Sequence, residues 1–201
     1  MSSIVATETA ELTLEVAQLW PPRGQWTEAH YFALPDTNRY IELSEGELIM
    51  PPHPTRSHQR AVEELFVRLR AFVQENELGE VHVAPLPVRL WPGKIREPDV
   101  FFVAREHSDR IGEQFFGVPD LVMEVTSSGT WRTDRVEKLA EYAQAGVKEY
   151  WIVDPEAQTI EVFELREDAY VLADKWRMGE TARSALLEGF TVAVEDVFGQ
   201  E

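Results

Sequence analysis

The stretch at residues 118–139, VPDLVMEVTSSGTWRTDRVEKL, combines a strand-like apolar run with charged residues. Its first half is a short, mostly apolar run, which is typical of a strand buried within a sheet. Two carboxylates, Asp120 and Glu124, nevertheless lie inside this run, and Lys138 follows it. Because a buried charge is unfavourable unless it is paired or bound to a cation, these three residues require an explanation.

The two carboxylates of the predicted strand differ in position. Side chains two apart share a face, which places Leu121, Met123 and Val125 on one face and Asp120, Val122, Glu124 and Thr126 on the other. Asp120 stands at the strand entrance, where it can reach solvent or cap a neighbour. Glu124 lies deeper, and two interpretations of it stay open: an ion pair with a neighbouring Arg or Lys, or a ligand of a metal ion.

A further acid precedes the apolar strand predicted within EPDVFFV, residues 97–103. Asp99 follows a proline there, so it is either an ordinary turn residue or a second carboxylate on the face of Glu124. Carboxylates from adjacent strands suit Mg²⁺ or Mn²⁺, and such an ion can activate water and neutralise a phosphate oxygen. Lys138 is then either an exposed i,i+4 partner of Asp134 on a helix or a cation beside the scissile phosphate.

The composition limits the class of protein. A chain of 201 residues with 44% hydrophobic residues suits one domain of α/β or α+β type. It contains no cysteine, which excludes disulfides, zinc ribbons, iron–sulfur clusters and thiol nucleophiles. The sequence shows no signal peptide and no apolar run long enough to span a membrane, so we expect a cytoplasmic protein with no membrane partner.

The charge of the chain is strongly negative and unevenly distributed. A net charge of −17 argues against a general nucleic-acid binder, because affinity for phosphate comes from Lys and Arg. However, 13 of the 19 basic residues lie between residues 51 and 150. A local basic surface can therefore coexist with acidic ends of the chain.

The remaining pattern predicts helices and hairpins around the central stretch. We expect residues 1–24 to form an N-terminal arm and residues 25–201 a single domain. The first half predicts a helix over 25–35 capped by Thr27, a hairpin around Ser44–Gly46, a helix over 54–77 capped by Ser57, and a strand over 80–91 that its prolines bend or place at an edge. The second half predicts the two strands above, a helix over 131–145 with Val136, Leu139, Ala140 and Ala143 on one face, and a C-terminal β-meander. Together they predict an α/β (α+β) fold with a mixed sheet flanked by helices.

The order of the polar residues resembles that of a known family. Glu47 in SEGEL, which by itself reads as a solvated hairpin residue, is followed by Asp99 after a proline, by Glu124 and by Lys138. This order is similar to the PD-(D/E)xK nuclease superfamily and, more narrowly, to the Uma-two family of restriction endonucleases. The matching stretches are ELSEGELIMPPHPTRSHQR, REPDVFFV, PDLVMEVTSSGTWRTDRVEKLAEYAQAGVKEYWIVDP and the β-meander after it.

The resemblance implies a restriction endonuclease-like core and metal-dependent hydrolysis of DNA phosphodiester bonds. By position, Asp99 and Glu124 would hold Mg²⁺ (or Mn²⁺), with the carbonyl of Val125 as a further ligand. The superfamily usually carries a lysine two residues after the second acid. Thr126 occupies that place here, and Lys138 stands where this family has the lysine.

Other residues of the site follow from the resemblance as well. Glu47 would be an additional catalytic acid, and five residues would support the site or contact DNA: His58, Asp120, Thr126, Arg132 and Arg96. The implied partners are DNA and a second copy of the chain in a homodimer. Two alternatives stay open: a catalytically inactive binding or assembly module with a protein partner, and a metal-binding hydrolase that acts on something other than DNA.

Overall fold

The chain folds into a mixed sheet flanked by helices. The computed structural model describes residues 21–35, 40–127, 129–130 and 132–199. Its helices are α1 (Glu28–Phe32), α2 (Arg56–Glu75), α3 (Leu139–Ala145) and α4 (Val194–Phe198), with a 3-10 helix at Arg105–Arg110 and a π-helical turn at Thr133–Lys138 that leads into α3. Its strands are β1 (Glu42–Ser44), β2 (Glu47–Ile49), β3 (Gly79–Val83), β4 (Val88–Trp91), β5 (Lys94–Arg96), β6 (Val100–Ala104), β7 (Leu121–Val125), β8 (Glu149–Asp154), β9 (Thr159–Arg166), β10 (Ala169–Arg177), β11 (Thr181–Arg183) and β12 (Thr191–Ala193).

The main sheet contains six of the described strands, in the order β10-β9-β8-β7-β6-β3. Strands β7 and β8 run parallel, whereas the other neighbouring pairs in this sheet are antiparallel. A parallel pair needs a crossover connection, and the π-helical turn and α3 supply it here. The predicted mixed sheet is therefore confirmed, and β9 and β10 form the predicted C-terminal meander, which continues the sheet from β8.

Strand β7 separates two layers of core. Leu121, Met123 and Val125 belong to the cluster that packs under α2, whereas Val122 belongs to the cluster that contains Tyr142 of α3. This arrangement confirms the predicted faces of the strand. All five residues of β7 are buried, and fully burying a large apolar side chain contributes about 1.5–3 kcal/mol. The strand that carries Glu124 is thus held firmly on both sides.

Helix α2 forms as predicted, but its N-cap is different. The Thr55 hydroxyl oxygen accepts the N–H of His58 at 3.2 Å, so Thr55 is the cap and the prediction of Ser57 was wrong. The Ser57 hydroxyl contacts the Thr55 hydroxyl at 3.0 Å instead. Both residue types are good caps, and the choice follows from the extended backbone at Thr55. Helix α1 is capped by Thr27 as expected.

The strand predicted over residues 80–91 is two strands in two different sheets. Strand β3 is an edge of the main sheet, and β4 is an edge of a four-stranded sheet with the order β2-β1-β5-β4. Pro85 and Pro87 lie between the two strands. Proline has no N–H to donate to a strand ladder, so the chain leaves the main sheet there. The single strand was therefore wrong, although the edge position is as expected.

The predicted hairpin is formed by β1 and β2. Ser44 pairs with Glu47, which leaves a two-residue turn at Glu45 and Gly46. Both turn residues have positive φ, 51° and 77°, as tight hairpin turns require. A side chain at Gly46 would also collide with the backbone of Gly24, because its Cβ would lie 2.4 Å from that carbonyl oxygen.

The helix predicted over residues 131–145 begins with a π-helical turn, and its inner face differs from the prediction. Of the four residues predicted to face inward, Ala143 is buried and Leu139 is partly buried against the core, whereas Val136 is 57% exposed and Ala140 is exposed. The predicted apolar face was therefore right for two residues and wrong for the other two. Asp134 and Lys138 are buried instead. The wider π turn departs from the 3.6-residue period of an α-helix and changes which side chains face the sheet.

The ends of the chain add little to this arrangement. Strands β11 and β12 pair as a small separate sheet before α4. Residues 1–20 of the predicted arm lie outside the described residues, so the arm and the domain boundary stay predictions.

None of the helices in the described ranges has the length and apolar character needed to cross a membrane.

Candidate active site

Strands β6 and β7 place Asp99 beside Glu124. In their antiparallel register Val100 pairs with Met123. Asp99, which precedes Val100, is therefore a neighbour of Glu124, which follows Met123. The N–H of Val125 donates to Asp99 Oδ2 at 2.8 Å and fixes this carboxylate against β7. The structure therefore brings the two predicted carboxylates together.

The π-helical turn carries Lys138 to the same group. Its Nζ lies 3.0 Å from Glu124 Oε1, 3.4 Å from Asp134 Oδ1 and 3.6 Å from Glu42 Oε1. The Lys138 side chain is only 8% exposed, so these ion pairs are largely shielded from water. Charges interact more strongly in such surroundings than at the surface. Asp134 is a partner of Lys138, but on a buried face rather than on a solvated one.

A cavity of about 230 Å³ lies over these side chains. Five carboxylates line it: Glu42, Glu97, Asp99, Glu124 and Asp134. Among the described residues that line the cavity, Lys138 is the only lysine or arginine. The loop after β2, Tyr40 and His58 form other parts of the wall, together with Ser127, Gly129, Thr130 and Thr133 after β7. The excess of negative charge favours the binding of a cation.

Burial and charge change the protonation of the cavity wall. Burial raises the pKa of Glu124 above its ordinary value, although the charge of Lys138 opposes this. Burial also raises the pKa of Glu97 to about 7. For Lys138 burial lowers the pKa, but Glu124 and Glu42 outweigh it and hold the pKa well above the usual value. Lys138 is therefore a cation at neutral pH.

Three buried polar atoms of the cavity wall have no hydrogen-bond partner within the described ranges. They are Glu97 Oε2, Asp134 Oδ1 and His58 Nδ1. Asp134 Oδ1 keeps its ion pair with Lys138. An unsatisfied buried polar atom costs roughly 1–3 kcal/mol, so this wall is suited to a ligand or to ordered water.

The donors of the cavity fit a hard divalent cation. No three His, Asp or Glu side chains in the part of the chain described are arranged to ligate one ion together. Mg²⁺ often binds through one or two carboxylates and keeps several waters, so two acids are sufficient. Asp99 contacts the Val125 N–H and His58 through the same oxygen, Oδ2, and Asp99, Glu124 and Val125 line the same cavity.

Comparison with known proteins identifies the family of the chain. A family model named Uma2 and described as "Putative restriction endonuclease" matches residues 28–195. The chain belongs to the Uma2 family. The Uma2 chain is also similar to a crystal structure described as a "putative nuclease belonging to DUF820 from Anabaena variabilis ATCC 29413". That structure is 18% identical with a TM-score of 0.70, and the match covers 86% of this chain and 97% of that chain.

These comparisons confirm two of the sequence predictions. They are the resemblance to the Uma2 family and the fold class. No curated protein sequence matches the chain significantly.

Arg96 lies behind the Uma2 cavity rather than on the surface. It is fully buried, and it donates to Glu42 Oε2 at 2.6 Å and to Glu141 Oε2 at 2.8 Å. Lys94 also donates to Glu141, at 2.7 Å. The structure therefore places Arg96 as a support for Glu42 and not as a DNA contact.

Glu47 does not reach the cavity of the Uma2 chain. Its carboxylate forms two hydrogen bonds with Arg23, at 2.7 and 2.8 Å, and is 38% exposed. Glu42, on the neighbouring strand β1, is buried and lines the cavity. Sequence reasoning missed Glu42 and Glu97. Glu42 carries the signal that singled out Glu124, an acid within an extended run, but Glu47 carries the same signal.

His58, Thr126 and Arg132 take three different places. His58 lies on the first turn of α2, with Nε2 3.4 Å from Asp99 Oδ2. Burial lowers the pKa of His58, but the hydrogen bond and charge of Asp99 outweigh it and raise the pKa above its ordinary value. Thr126 is buried and lines a neighbouring cavity, whereas Arg132 is exposed just before the π-helical turn.

Asp120 belongs to a separate group at the start of β7. Its carboxylate accepts the N–H of Ala104 at 2.8 Å and contacts His107 Nδ1 at 2.9 Å and Lys148 Nζ at 3.0 Å. Burial raises the pKa of Asp120, but these contacts outweigh it and hold the pKa below the ordinary value. Asp120 is thus a strand-entry residue that does not line the candidate site.

Proposed function

We propose that this Uma2 chain is a divalent-metal-dependent nuclease that hydrolyses DNA phosphodiester bonds. One observation carries the proposal: Asp99, Glu124 and Lys138 come from separate elements and meet in one cavity with an excess of carboxylates. The description of the family and that of the similar crystal structure support the same class of reaction.

The carboxylates of Glu124, on β7, and of Asp99, just before β6, are the proposed ligands of the divalent cation. Asp99 and Glu124 would bind Mg²⁺ or Mn²⁺, with the Val125 carbonyl as a further ligand. When bound, such an ion lowers the pKa of water and neutralises charge on the phosphate. Glu42 takes the place of Glu47 as the additional acid, because it is the one that lines the cavity.

Lys138 supplies the fixed positive charge of the site. Its ammonium stays protonated, because the surrounding carboxylates raise its pKa. Ion pairs to three acids hold it in place, so little reorganisation is needed when a phosphate arrives. It can then donate a hydrogen bond to a phosphate oxygen on which charge develops, and preorganised donors of this kind contribute a rate factor of about 10²–10³.

Two neighbours hold the carboxylates in position. The Tyr142 hydroxyl donates to Glu124 Oε1 at 2.6 Å. His58 Nε2 contacts Asp99 Oδ2 at 3.4 Å from the other side. Groups that orient metal ligands in this way typically change metal affinity or activity by about 10- to 100-fold when they are removed.

DNA cleavage by purified protein tests the proposal. Plasmid and linear single-stranded DNA are incubated with Mg²⁺, with Mn²⁺ or with EDTA. We expect cleavage that requires the metal and that falls by about 10²-fold or more in Asp99→Asn and Lys138→Met. Glu63→Gln, which removes an exposed acid on α2, is the matched control. Cleavage that Asp99→Asn retains in full would place the reaction at another site or in a contaminant.

Metal binding separates this proposal from the inactive binding module. Calorimetric titration of the wild type with Mn²⁺ should show binding that Asp99→Asn loses. A wild type that binds no metal would contradict the nuclease mechanism and favour the module. The homodimer stays a prediction, which light scattering of the purified protein checks directly.

A further inference from the structure

Part of the wall of the candidate active-site cavity is apolar. This apolar wall consists of Tyr40, Ile49, Met50, Pro51, Pro52 and Pro54. The carboxylates and Lys138 line the same cavity, so a ligand that enters it meets polar and apolar groups together. The proposed hydrolysis involves only the polar groups and gives the apolar wall no role.

The apolar wall is stiff and encloses part of the cavity. Three of the four residues at 51–54 are prolines, whose rings hold φ at about −65°. A Cβ added at Gly129 would lie 3.1 Å from Pro52 Cγ, so the loop after β2 packs against the segment after β7. Met50, in contrast, is exposed and is free to contact a ligand at the entrance.

The groups that would act on the phosphate lie deep in the cavity. The side chains of Asp99 and Glu124 are only 9% and 4% exposed, and Lys138 is also buried. A phosphate reaches them only by entering the cavity. The phosphates of duplex DNA belong to a stiff rod with a persistence length of about 50 nm, and pairing with the second strand keeps a nucleotide from turning inward. An unpaired nucleotide has no such restraint.

Size and charge favour a single nucleoside beside the phosphate that enters. The cavity of about 230 Å³ is smaller than the roughly 300–1,000 Å³ of pockets for drug-sized ligands. Its described lining residues include five carboxylates and one lysine, which disfavours a second phosphate. A nucleoside is uncharged and its base has apolar faces, so it suits the apolar wall.

Tyr40 belongs to the apolar wall and lies near the carboxylates. It is the only Phe, Tyr or Trp among the described residues that line the cavity, and it is partly exposed. Burial raises the pKa of Tyr40 above its ordinary value, and the negative charges of Asp99 and Glu97 raise it further. The ring is therefore close to the place where the phosphate would be cleaved. Aromatic rings bind unpaired bases by stacking on them.

We propose that the apolar wall binds the nucleoside next to the scissile phosphate in an unpaired state, so that the substrate of this chain is single-stranded DNA or an unpaired stretch of a duplex. The base packs on Tyr40, and the sugar packs on Met50 and the prolines. This inference rests on the proposed function, because it takes Asp99 and Glu124 as the place of hydrolysis. Every base has a face that can stack, so the contact carries little base preference.

The test compares one labelled DNA sequence as a single strand and as a perfect duplex. Affinity is measured by fluorescence anisotropy in Mn²⁺ before appreciable cleavage, and cleavage is followed in parallel on both forms and on bis(p-nitrophenyl) phosphate, a phosphodiester without a base. Further single strands carry one abasic site at successive positions. The variants are Tyr40→Leu, Tyr40→Phe and Met50→Ala, and Leu172→Ala, at an exposed position of β10, is the control for Met50→Ala.

We expect the wild type to bind and cleave the single strand at least about tenfold better than the duplex, because the duplex must first be unpaired. Tyr40→Leu should weaken single-strand binding by about five- to twentyfold, whereas Tyr40→Phe keeps the ring and should stay within about twofold. Met50→Ala should weaken it by about two- to fivefold, and Leu172→Ala should not change it. An abasic site should weaken wild-type binding most at one position next to the cut, and less there in Tyr40→Leu.

The outcomes separate the two proposals. Equal affinity for the single strand and the duplex would overturn the nucleoside site, and so would an abasic series without a preferred position or a wild type that binds neither form. The abasic series on the wild type and the exposed Met50→Ala decide the matter even if Tyr40→Leu does not fold. A wild type that prefers the single strand and shows the abasic penalty, but cleaves neither DNA nor the small ester, would count against the nuclease proposal alone.

Discussion

At the scale of single residues, the charge of Lys138 connects stability with catalysis. Three carboxylates, Glu42, Glu124 and Asp134, lie within 3.6 Å of its ammonium nitrogen. Removing one partner of a buried ion pair usually destabilises a protein more than the pair had stabilised it, because a charge is left without compensation. A divalent cation in the same cavity would replace part of the missing charge.

We therefore expect Lys138→Met to lower the free energy of unfolding by about 3–5 kcal/mol in EDTA and by less in Mg²⁺. Urea denaturation in both buffers measures the difference. Lys175→Met removes a half-exposed partner of Glu161 and should cost no more than about 1 kcal/mol in either buffer. An equal loss for Lys138→Met with and without metal would show that no ion compensates for the lysine.

The two glutamates of the β1–β2 hairpin give a second prediction at this scale. Glu42→Gln should lower DNA cleavage by about 10- to 100-fold, because Glu42 lines the cavity and contacts Lys138. Glu47→Gln should leave cleavage within about twofold, since its only partner in the described residues is the exposed Arg23. Rates measured side by side check both, and the reverse order would restore Glu47 as the additional acid.

The sequence could identify some of these residues and not others, for a physical reason. Asp99 and Glu124 stand out because each is an acid next to or within an apolar strand. Glu42 and Glu47 lie in two short extended runs of the same hairpin, and only the pairing of β1 with β5 decides which of them is covered. That pairing joins segments far apart in the chain, so the spacing of the residues does not predict it.

At the scale of elements, the π-helical turn explains the error in the predicted inner face of the helix over residues 131–145. The 3.6-residue period favoured Val136 as an inward residue, whereas the turn presents Asp134 and Lys138 to the sheet. A π turn depends on how the chain fits the cavity rather than on local helix preference, so periodicity could not predict it. The existence of the long helices and strands, in contrast, followed from their patterns.

Asp120 gives an element-scale prediction, since it ties the start of β7 to the end of β6. Its pKa in the folded chain lies below the ordinary value of 3.8, so its contribution to stability is present above about pH 4 and is lost as the pH falls through the folded pKa. We expect Asp120→Asn to lower the unfolding free energy by about 1–3 kcal/mol at pH 7, with a smaller difference from wild type at pH 3. Urea titrations at both pH values, with the exposed Asp109→Asn as control, measure this.

At the scale of the whole molecule, the negative charge limits how DNA can be held. The net charge is −17, and Lys94 and Arg96, two of the central basic residues, are buried in ion pairs. Under the proposed function, contact with phosphate would be left to exposed cations that adjoin cavity-lining residues in sequence, such as Arg56 and Arg132. The total charge could be read from the sequence, but the burial of these cations could not.

Arg132 gives a prediction about the salt dependence of oligonucleotide binding. Oligonucleotide affinity should decline only gently with salt, because few phosphates are neutralised, and Arg132→Gln should reduce the slope of log affinity against log salt by about 0.7. Fluorescence anisotropy between low and moderate salt measures the slope. Arg166→Gln, which changes a 67% exposed arginine at the end of β9, is the control, and an equal slope in both variants would place Arg132 outside the DNA path.

The parallel pairing of β7 with β8 has a consequence for the order in which the protein is made. The crossover between these strands contains Lys138, and Tyr142 of its helix packs against Tyr150 of β8, with the ring centres 5.2 Å apart. Until β8 has left the ribosome, the crossover has no strand on which to close. A growing chain therefore contains Asp99, Glu124 and Lys138 before it contains the strand on which the crossover packs.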